Sequence, residues 1–354
     1  MGFCIYTKLD ICWYLARCWI IERAVVRHGI TEMRSQFRKY HNELAGSFNK
    51  MELSEKLQPG ACVVCGGTEG IRVYEEAGFA GLQCRCGSVY IDPQPLNEQT
   101  DPRVDLHLET YYSLPSKIRV DWVVKHIQGN RYLDVGAGNG ATVSEALERG
   151  LSVAAIEPNS ACVESLCASY GIQVEQSIIE ESSLPDRTFD AVFHIDLLSH
   201  FPDPVLALQK MANLVKPETG VVCFEVGLFG GLSTKWYDYA GRPGFPQHRW
   251  FFSEKNIVSL LEQAGLEAFD MKVYNVSLST ILSSLLYKAL PSRFRQKPGS
   301  KSLQAAKPGY IWKLYHRLHF FLRYRVGGWL PVFRPGTALV AARVRKPVGL
   351  QLVE

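Results

Sequence analysis

The pattern of apolar and polar residues predicts a β-α-β unit between residues 131 and 159. Residues 132–135 are mostly apolar, as in a buried strand, and apolar residues then recur at helical spacing until Gly150. The apolar face of this helix consists of Val143, Ala146 and Leu147. A second apolar run at residues 151–156 predicts a strand parallel to the first, because a helix lies between the two.

Three glycines, Gly136, Gly138 and Gly140, separate the first strand from the helix. Glycine permits positive φ and lets another molecule approach the backbone closely. The helix offers free N–H groups at its start, and Glu157 ends the second strand, where a carboxylate can accept both hydroxyls of a ribose. The unit therefore predicts a site for a ligand that contains a nucleoside.

The glycine spacing and Asp134 distinguish two classes of nucleoside ligand. Dinucleotide sites usually carry G-x-G-x-x-G and hold a pyrophosphate at the helix N-terminus. Here the spacing is G-x-G-x-G, and Asp134 would repel a pyrophosphate but attract a ligand with an ammonium and a sulfonium group. We therefore favour S-adenosylmethionine (SAM). A dinucleotide oxidoreductase is the alternative, and it would bind NAD in place of SAM.

Residues 134–140 resemble the first motif, D/E-x-G-x-G-x-G, of the class I SAM-dependent methyltransferases. Residues 183–226 resemble the fourth strand, the next helix and the fifth strand of that family. Residues 249–274 resemble its last helix and sixth strand, with Ser253 as N-cap, and residues 337–344 would form the seventh strand. The resemblance implies an α/β fold with a Rossmann-like, mostly parallel sheet of seven strands whose last strand is antiparallel.

The family resemblance also implies a set of residues that contact SAM. These residues are Asp134, Gly136, Ala137, Gly138, Gly140, Glu157 and Asp196. The adenine contact in the family usually comes from an acidic residue after the third strand, which aligns here with residues 177–179. These positions carry no carboxylate, although Glu180 and Glu181 follow closely, so the adenine contact stays unassigned. A catalytically silent protein with this fold, which binds SAM weakly or not at all, is a further alternative.

Methyl transfer from a sulfonium requires few side chains, because the leaving group is neutral and the protein chiefly aligns the acceptor. We expect a small-molecule acceptor that is methylated at oxygen, and an imidazole titrates in the right range to remove its proton. His200, just after the fourth strand, is the first candidate for this catalytic role, and His248 is the second. Either ring could instead have only a structural role, and His194 is expected in the core.

Four of the ten cysteines lie in two short turns, at Cys62, Cys65, Cys84 and Cys86. Four thiolates so placed can hold a tetrahedral structural Zn²⁺, which would stabilise a domain with a thin core of its own. Residues 58–95 are therefore predicted to form a zinc ribbon, similar to that of a subset of these methyltransferases. The spacing of Cys84 and Cys86 is one residue shorter than the usual C-x-x-C, which leaves the geometry of Cys84 open. A ribbon with reduced cysteines and no metal is the alternative.

Charge is distributed unequally along the 354 residues, although the net charge is only +4. Residues 271–353 contain 15 Lys and Arg and no Asp or Glu, whereas residues 1–270 carry 24 Lys and Arg against 34 Asp and Glu. The basic part includes an insertion, residues 276–335, between the sixth and seventh predicted strands, where a short turn would suffice. Its amphipathic pattern fits an anionic membrane surface, a helical lid, or contact with an anionic or lipid-linked acceptor, whereas its bulky aliphatic residues argue against nucleic acid.

The first 55 residues predict neither a membrane span nor a signal peptide, because charged residues interrupt their apolar run and a cleavage site is lacking. They are either an amphipathic helix or a translated stretch ahead of a natural start at Met33 or Met51, and we slightly favour the second. We expect a cytoplasmic protein, peripheral at the inner membrane surface if the insertion binds lipid. The predicted domains are 1–55, an N-terminal extension; 58–95, the ribbon; 105–275 with 336–346, the methyltransferase domain; and 276–335, the basic insertion.

Overall fold

The computed structural model describes residues 57–76, 78–95, 109–229, 244–274 and 336–345, with side chains described from residue 115 in the first helix. The predicted N-terminal extension and the predicted basic insertion lie outside these ranges. None of the helices in the described ranges combines the length and the apolar character that a bilayer-spanning helix needs.

The strands of the N-terminal part come first along the chain, and helices then alternate with strands. The N-terminal strands are β1 (Leu57–Gln58), β2 (Gly70–Glu76), β3 (Phe79–Cys84), β4 (Val89–Asp92) and β5 (Gln94–Pro95). The next elements are α1 (Glu109–His126), β6 (Arg131–Val135), α2 (Ala141–Glu148), β7 (Ser152–Ile156), α3 (Ser160–Tyr170) and β8 (Gln173–Glu175). The last are β9 (Ala191–Ile195), α4 (Pro204–Leu214), β10 (Val221–Gly227), β11 (Trp250–Phe251), α5 (Glu254–Gln263), β12 (Leu266–Tyr274) and β13 (Thr337–Val344).

The central sheet has seven strands in the order β12-β13-β10-β9-β6-β7-β8. Strand β13 runs antiparallel to both of its neighbours, β10 and β12, whereas the pairs from β10 to β8 are parallel. The predicted Rossmann-like sheet of seven strands, with an antiparallel last strand, is confirmed. Because the order reverses beside β6, the carboxyl ends of β6 and β9 flank a crevice in which open α/β sheets bind ligands.

The central strands are buried on both faces, so their sequences are continuous apolar runs without alternation. In β10, six of seven residues are buried. The flanking helices have the caps that the sequence indicates. Ser253 forms a capping box with Asn256 at the start of α5, and Gly265, one residue past the C-cap, has a φ of 77°.

The N-terminal part forms a four-stranded sheet in the order β11-β4-β3-β2, together with a short antiparallel pair of β1 and β5. Strand β11 lies about 160 positions after β4 in the sequence but is its neighbour in this sheet. Trp250 pairs with Tyr90, and Phe251 pairs with Val89. The N-terminal sheet is thus completed by two residues that follow directly on His248 and Arg249. Strand β11 could not be predicted from the sequence, because two residues are too few for a periodic pattern.

Candidate functional site

The loop between β6 and α2 contains the three predicted glycines, and each has positive φ: 68° at Gly136, 54° at Gly138 and 79° at Gly140. At Gly140 a side chain has no room, because an added Cβ would lie 2.6 Å from the ring of Tyr170. Gly138 differs, since an added Cβ there would meet nothing nearer than 4.0 Å. The backbone at Gly138 is therefore bare on the side from which a ligand can approach.

Glu157 lies at the end of β7 and connects that strand to the glycine loop. The side chain is 6% exposed. Its Oε2 accepts a hydrogen bond from the backbone N–H of Gly138 at 2.9 Å, and its Oε1 accepts one from the N–H of Asn159 at 2.9 Å. A carboxylate oxygen has two lone pairs, so both oxygens keep acceptor capacity for the hydroxyls of a ribose.

Asp134 is 1% exposed at the end of β6. Its carboxylate accepts a hydrogen bond from the hydroxyl of Thr142 at 2.5 Å and a longer one from Tyr132 at 3.4 Å. Burial raises the pKa of Asp134 to about 7, and the hydrogen bond from Thr142 only partly opposes this rise. The carboxyl therefore titrates near neutral pH, and a cation bound beside it would favour the ionised form.

A buried ion pair lies close to Asp134, and sequence reasoning missed it. Arg119 in α1 donates two hydrogen bonds to the carboxylate of Glu225 in β10. Burial raises the pKa of both Asp134 and Asp196, and the positive charge of Arg119 partly opposes this rise. The negative charge of Glu225 adds to the rise at Asp196. The available signal was Glu225 itself, a charged residue within the otherwise apolar strand β10.

Asp196 follows β9 and has a φ of 54°, a backbone conformation that is uncommon outside glycine. Its N–H donates to the carbonyl of Glu225 at 2.8 Å, which holds this turn against β10. The side chain reaches solvent, but surrounding protein atoms desolvate it and raise its pKa, while His248 partly lowers it. Asp196 therefore lies near both the predicted cofactor residues and a predicted catalytic histidine.

The two predicted catalytic histidines lie together just beyond β9. The ring centroids of His200 and His248 are 4.2 Å apart, at an angle of 49°. Burial lowers the pKa of His200 well below its usual value, and the charges of His248 and Arg249 lower it further. His200 is therefore neutral at physiological pH and is a weak proton acceptor.

Ser199 was not singled out from the sequence, yet it orients the ring of His248. The Ser199 hydroxyl lies 2.9 Å from Nδ1 of His248 and 3.3 Å from the backbone carbonyl of Asp196. A hydroxyl has one hydrogen to donate, and the carbonyl can only accept. Both hydrogen bonds form together only if Ser199 donates to Asp196 and His248 donates from Nδ1. In that tautomer, Nε2 of His248 carries a free lone pair.

His194 is 0% exposed within β9, in agreement with its expected place in the core. Its ring stacks on Phe224 with centroids 5.0 Å apart and an interplanar angle of 3°. Burial lowers the pKa of His194 to about 3. Neither ring nitrogen has a hydrogen-bond partner among the residues that the structure describes.

The region predicted to contact adenine, residues 177–179, offers no carboxylate in the structure either. The hydroxyl of Ser177 donates to the adjacent carbonyl of Ile178. Glu180 is directed elsewhere: burial raises its pKa, and among its charged neighbours are Asp203 and Lys210 of the α4 region. The adenine contact therefore stays unassigned.

The structure brings the four predicted metal ligands together, with all four sulfur atoms within 4.8 Å of one another. Sγ of Cys62 lies 3.5 Å from that of Cys86, and Sγ of Cys65 lies 3.4 Å from that of Cys84. Tetrahedral zinc with Zn–S bonds of about 2.3 Å separates its sulfur ligands by about 3.8 Å, so the cluster fits such an ion. The short spacing of the second turn does not remove Cys84 from the cluster.

Comparisons with known proteins match part of this chain to methyltransferases. A family model described as a methyltransferase domain matches residues 113–270. A ubiquinone biosynthesis O-methyltransferase from Xylella fastidiosa is 33% identical over 178 residues, which cover 44% of this chain and 68% of that protein. The protein of the same name from Aeromonas salmonicida is 27% identical over 170 residues, covering 44% of this chain and 71% of that protein.

Among solved structures, a SAM-dependent methyltransferase from Archaeoglobus fulgidus aligns with a TM-score of 0.44 and 16% identity, over 67% of this chain and 97% of that chain. The stronger finding is the sequence match to the Xylella protein, which extends over two thirds of that methyltransferase. Together with the glycine loop and the topology of the central sheet, this match shows that the chain belongs to the class I SAM-dependent methyltransferases.

Proposed function

We propose that this enzyme transfers the methyl group of SAM to an oxygen atom of a small-molecule acceptor and that His248 removes the acceptor's proton. The observation that carries the proposal is the hydrogen bond between Ser199 and Nδ1 of His248, because it leaves Nε2 available as a base. The relatives named as O-methyltransferases support oxygen as the acceptor atom.

The cofactor-binding half of the proposal rests on the carboxyl ends of β6 and β7. Glu157 accepts the ribose hydroxyls, and the bare backbone at Gly138 allows the cofactor to approach. Ionised Asp134 and Asp196 stabilise the positive charges of the ligand. Bound SAM would supply an activated methyl group, because breaking its bond to the sulfonium sulfur leaves a neutral thioether.

On the acceptor side, we assign the proton to Nε2 of His248 and not to His200. The lowered pKa of His200 makes it a weak proton acceptor, and the Ser199 hydrogen bond holds the ring of His248 in place. His200 then limits the movement of His248 by packing against its ring. In this role, Nε2 of His248 would take the proton of the acceptor hydroxyl as its O–H bond breaks.

The experiment that tests this function uses radiolabelled SAM and a fractionated small-molecule extract of the source cells. Wild-type protein should label a product whose fragmentation places the new methyl group on oxygen. His248→Ala should lower kcat by about 100-fold, a typical contribution of general base catalysis, while the affinity for SAM stays within about twofold. A methyl group on nitrogen or carbon, or unchanged kcat in the variant, would refute the respective part of the proposal.

For the N-terminal part, we propose a zinc ribbon over residues 58–95, in which Cys62, Cys65, Cys84 and Cys86 are structural ligands. The mutual distances of the four sulfur atoms support this assignment. Metal analysis of the purified protein should find about one zinc per chain. Absence of zinc from protein purified without chelators would refute it.

The basic insertion at residues 276–335 carries a separate proposal, contact with an anionic membrane surface that presents a lipid-linked acceptor. Its excess of Lys and Arg supports this proposal. Flotation with anionic liposomes should carry the full chain to the top of the gradient and should leave it at the bottom with neutral liposomes. Equal recovery with both lipids would refute it.

A further inference from the structure

The segment 244–251 belongs to the ribbon and to the predicted catalytic site at once. His248 contacts Ser199 and His200 of the core. Three residues later, Phe251 pairs with Val89 in the ribbon sheet. A displacement of this segment by the ribbon would therefore move the His248 ring.

Glu76, the last residue of β2, makes the most direct contact between the ribbon and this segment. Its Oε2 accepts hydrogen bonds from the backbone N–H of Gly244 at 2.7 Å and from that of Phe245 at 3.1 Å. The carbonyl of Gly244 in turn accepts a hydrogen bond from the N–H of His248 at 3.1 Å. The ribbon carboxylate thus fixes the first residues of the turn whose last residue is His248.

The turn itself tolerates little movement. Gly244 has a φ of 83°, and an added Cβ there would lie 2.9 Å from Cδ2 of His248. The backbone of Gly244 therefore packs directly against the imidazole. A shift of a few tenths of an ångström in the turn is enough to change the position of the ring.

Further hydrogen bonds hold the other end of the segment between the two parts. The carbonyl of Arg249 accepts from the N–H of Ile91 in the ribbon at 3.1 Å, and the N–H of Arg249 donates to the carbonyl of Ser199 in the core at 2.7 Å. The indole N–H of Trp250 donates to the carbonyl of Phe201 at 2.8 Å. At the opposite end of the segment, the Glu76 carboxylate holds the backbone N–H groups of Gly244 and Phe245.

We propose that the ribbon positions His248 for catalysis and that Glu76 is the positioning residue through which it does so. This inference rests on the proposed role of His248 as the base, although the positioning itself does not depend on that role. Glu76 lies in the N-terminal sheet, and its carboxylate reaches His248 through the backbone of Gly244 and Phe245.

Amide hydrogen exchange and chemical modification of His248 test the proposal without a known acceptor. Glu76→Ala should raise exchange in residues 244–248 by about tenfold, because two hydrogen bonds to a charged acceptor are lost. The rate at which diethyl pyrocarbonate modifies His248, identified by mass spectrometry and by its loss in His248→Ala, should change in the same variant. Glu76→Gln, which keeps a neutral oxygen acceptor, should be intermediate.

Glu75→Ala is the matched control. Glu75 lies on the same strand, its side chain is 68% exposed, and it pairs with Arg72 in the ribbon. This variant should match the wild type in exchange and modification. All variants should bind SAM with affinities within about twofold of the wild type, since the glycine loop is unchanged.

If Glu76→Ala exchanges and reacts as Glu75→Ala does while thermal melting shows it folded, the positioning role is refuted. If Glu76→Ala fails to fold, the proposal is tested by comparing Glu76→Gln with the wild type. Identical amide exchange at residues 244–248 in these two proteins would refute it. Failure of the proposed function has a different signature, because His248→Ala would then retain methyl transfer even though the exchange data support positioning.

Discussion

The backbone N–H of Gly138 and the carboxylate of Glu157 are joined by a hydrogen bond of 2.9 Å, which connects the glycine loop to the end of the neighbouring strand. The carboxylate thus shapes the loop, and in the proposed function it also presents acceptors to a ribose. A change at this position should therefore weaken cofactor binding more than the loss of one ligand contact alone would.

We expect Glu157→Ala to weaken SAM binding by about 30-fold, because hydrogen bonds to a charged group contribute about 1.5–3 kcal/mol. Calorimetric titration with SAM measures the effect. Glu164→Ala is the control, since that exposed residue lies in the adjacent helix α3 and should leave binding unchanged. Equal affinities of the two variants would contradict the assignment of Glu157.

The raised pKa of Asp134 predicts a pH dependence of stability in the cofactor-free protein. Between the ordinary pKa of 3.8 and about 7, the folded protein keeps a proton that the unfolded chain has released. The stabilisation from this group is therefore complete below pH 4 and is lost as pH rises through about 7, by up to about 1.4 kcal/mol per pH unit. Asp134→Asn should remove this component from melting curves recorded between pH 5 and pH 8.

Binding of SAM should show the opposite trend with pH. The ligand's cationic groups favour ionised Asp134, so the affinity of the wild type should rise as pH increases through about 7. Calorimetry at pH 6 and pH 8 would measure the rise. An equally large rise in Asp134→Asn would show that another group is responsible.

His194→Phe should stabilise the protein at acidic pH. The unfolded chain takes up a proton as pH falls through the ordinary histidine pKa of 6.5, whereas the folded protein does not do so until about 3. Stability is thus complete above pH 6.5 and declines below it, by up to about 1.4 kcal/mol per pH unit. Phenylalanine has no group to protonate and no ring nitrogens without partners, so the variant does not lose stability in this way. The melting temperature of the variant should therefore rise relative to that of the wild type as pH falls from 7 to 5.

Breaking the buried ion pair between Arg119 and Glu225 should destabilise the folded protein. Glu225→Gln leaves the guanidinium of Arg119 facing a neutral amide in a buried place, and we expect a loss of about 3 kcal/mol in the free energy of unfolding. Chemical denaturation measures this loss. Glu267→Gln is the control, because its pair with Arg343 is about half exposed on both sides and should contribute less than about 1 kcal/mol.

Removal of the proposed zinc ion should destabilise the N-terminal part of the protein. Dialysis against a strong chelator, or Cys62→Ser, should lower the melting temperature by about 5 °C or more, because metal binding and folding of small cysteine domains are coupled. Cys167→Ser is the control, since Cys167 is exposed and lies outside the cluster. Melting curves that do not respond to chelator would contradict a structural metal.

The sequence predicted the central sheet and the SAM-dependent class correctly because both depend on local patterns. Apolar runs, glycines and caps identify the strands, the loop and the helix starts, and the bounds of β13 agree to the residue. The short spacing of Cys84 and Cys86 left their geometry open, and only the fold shows that all four sulfur atoms meet.

What the sequence could not predict comes from residues that are distant along the chain. Arg119 and Glu225 are 106 positions apart, and Glu76 and Gly244 are 168 apart, so no periodic pattern links them. The choice between the two histidines depended on features that exist only after folding: the lowered pKa of His200 and the hydrogen bond between Ser199 and His248. The roles of both histidines remain predictions that the experiments above test.

Strand β11 has a practical consequence for anyone who wishes to shorten this enzyme. The break between ribbon and core looks like a convenient cutting point in the printed sequence, but a fragment that begins at residue 109 would lack β4, the strand to which Trp250 and Phe251 are hydrogen-bonded. Such a fragment would leave the edge of β11 that faces β4 unpaired, two residues after His248. Exchange of the ribbon between homologues would encounter the same obstacle, so the two parts have to be transplanted together.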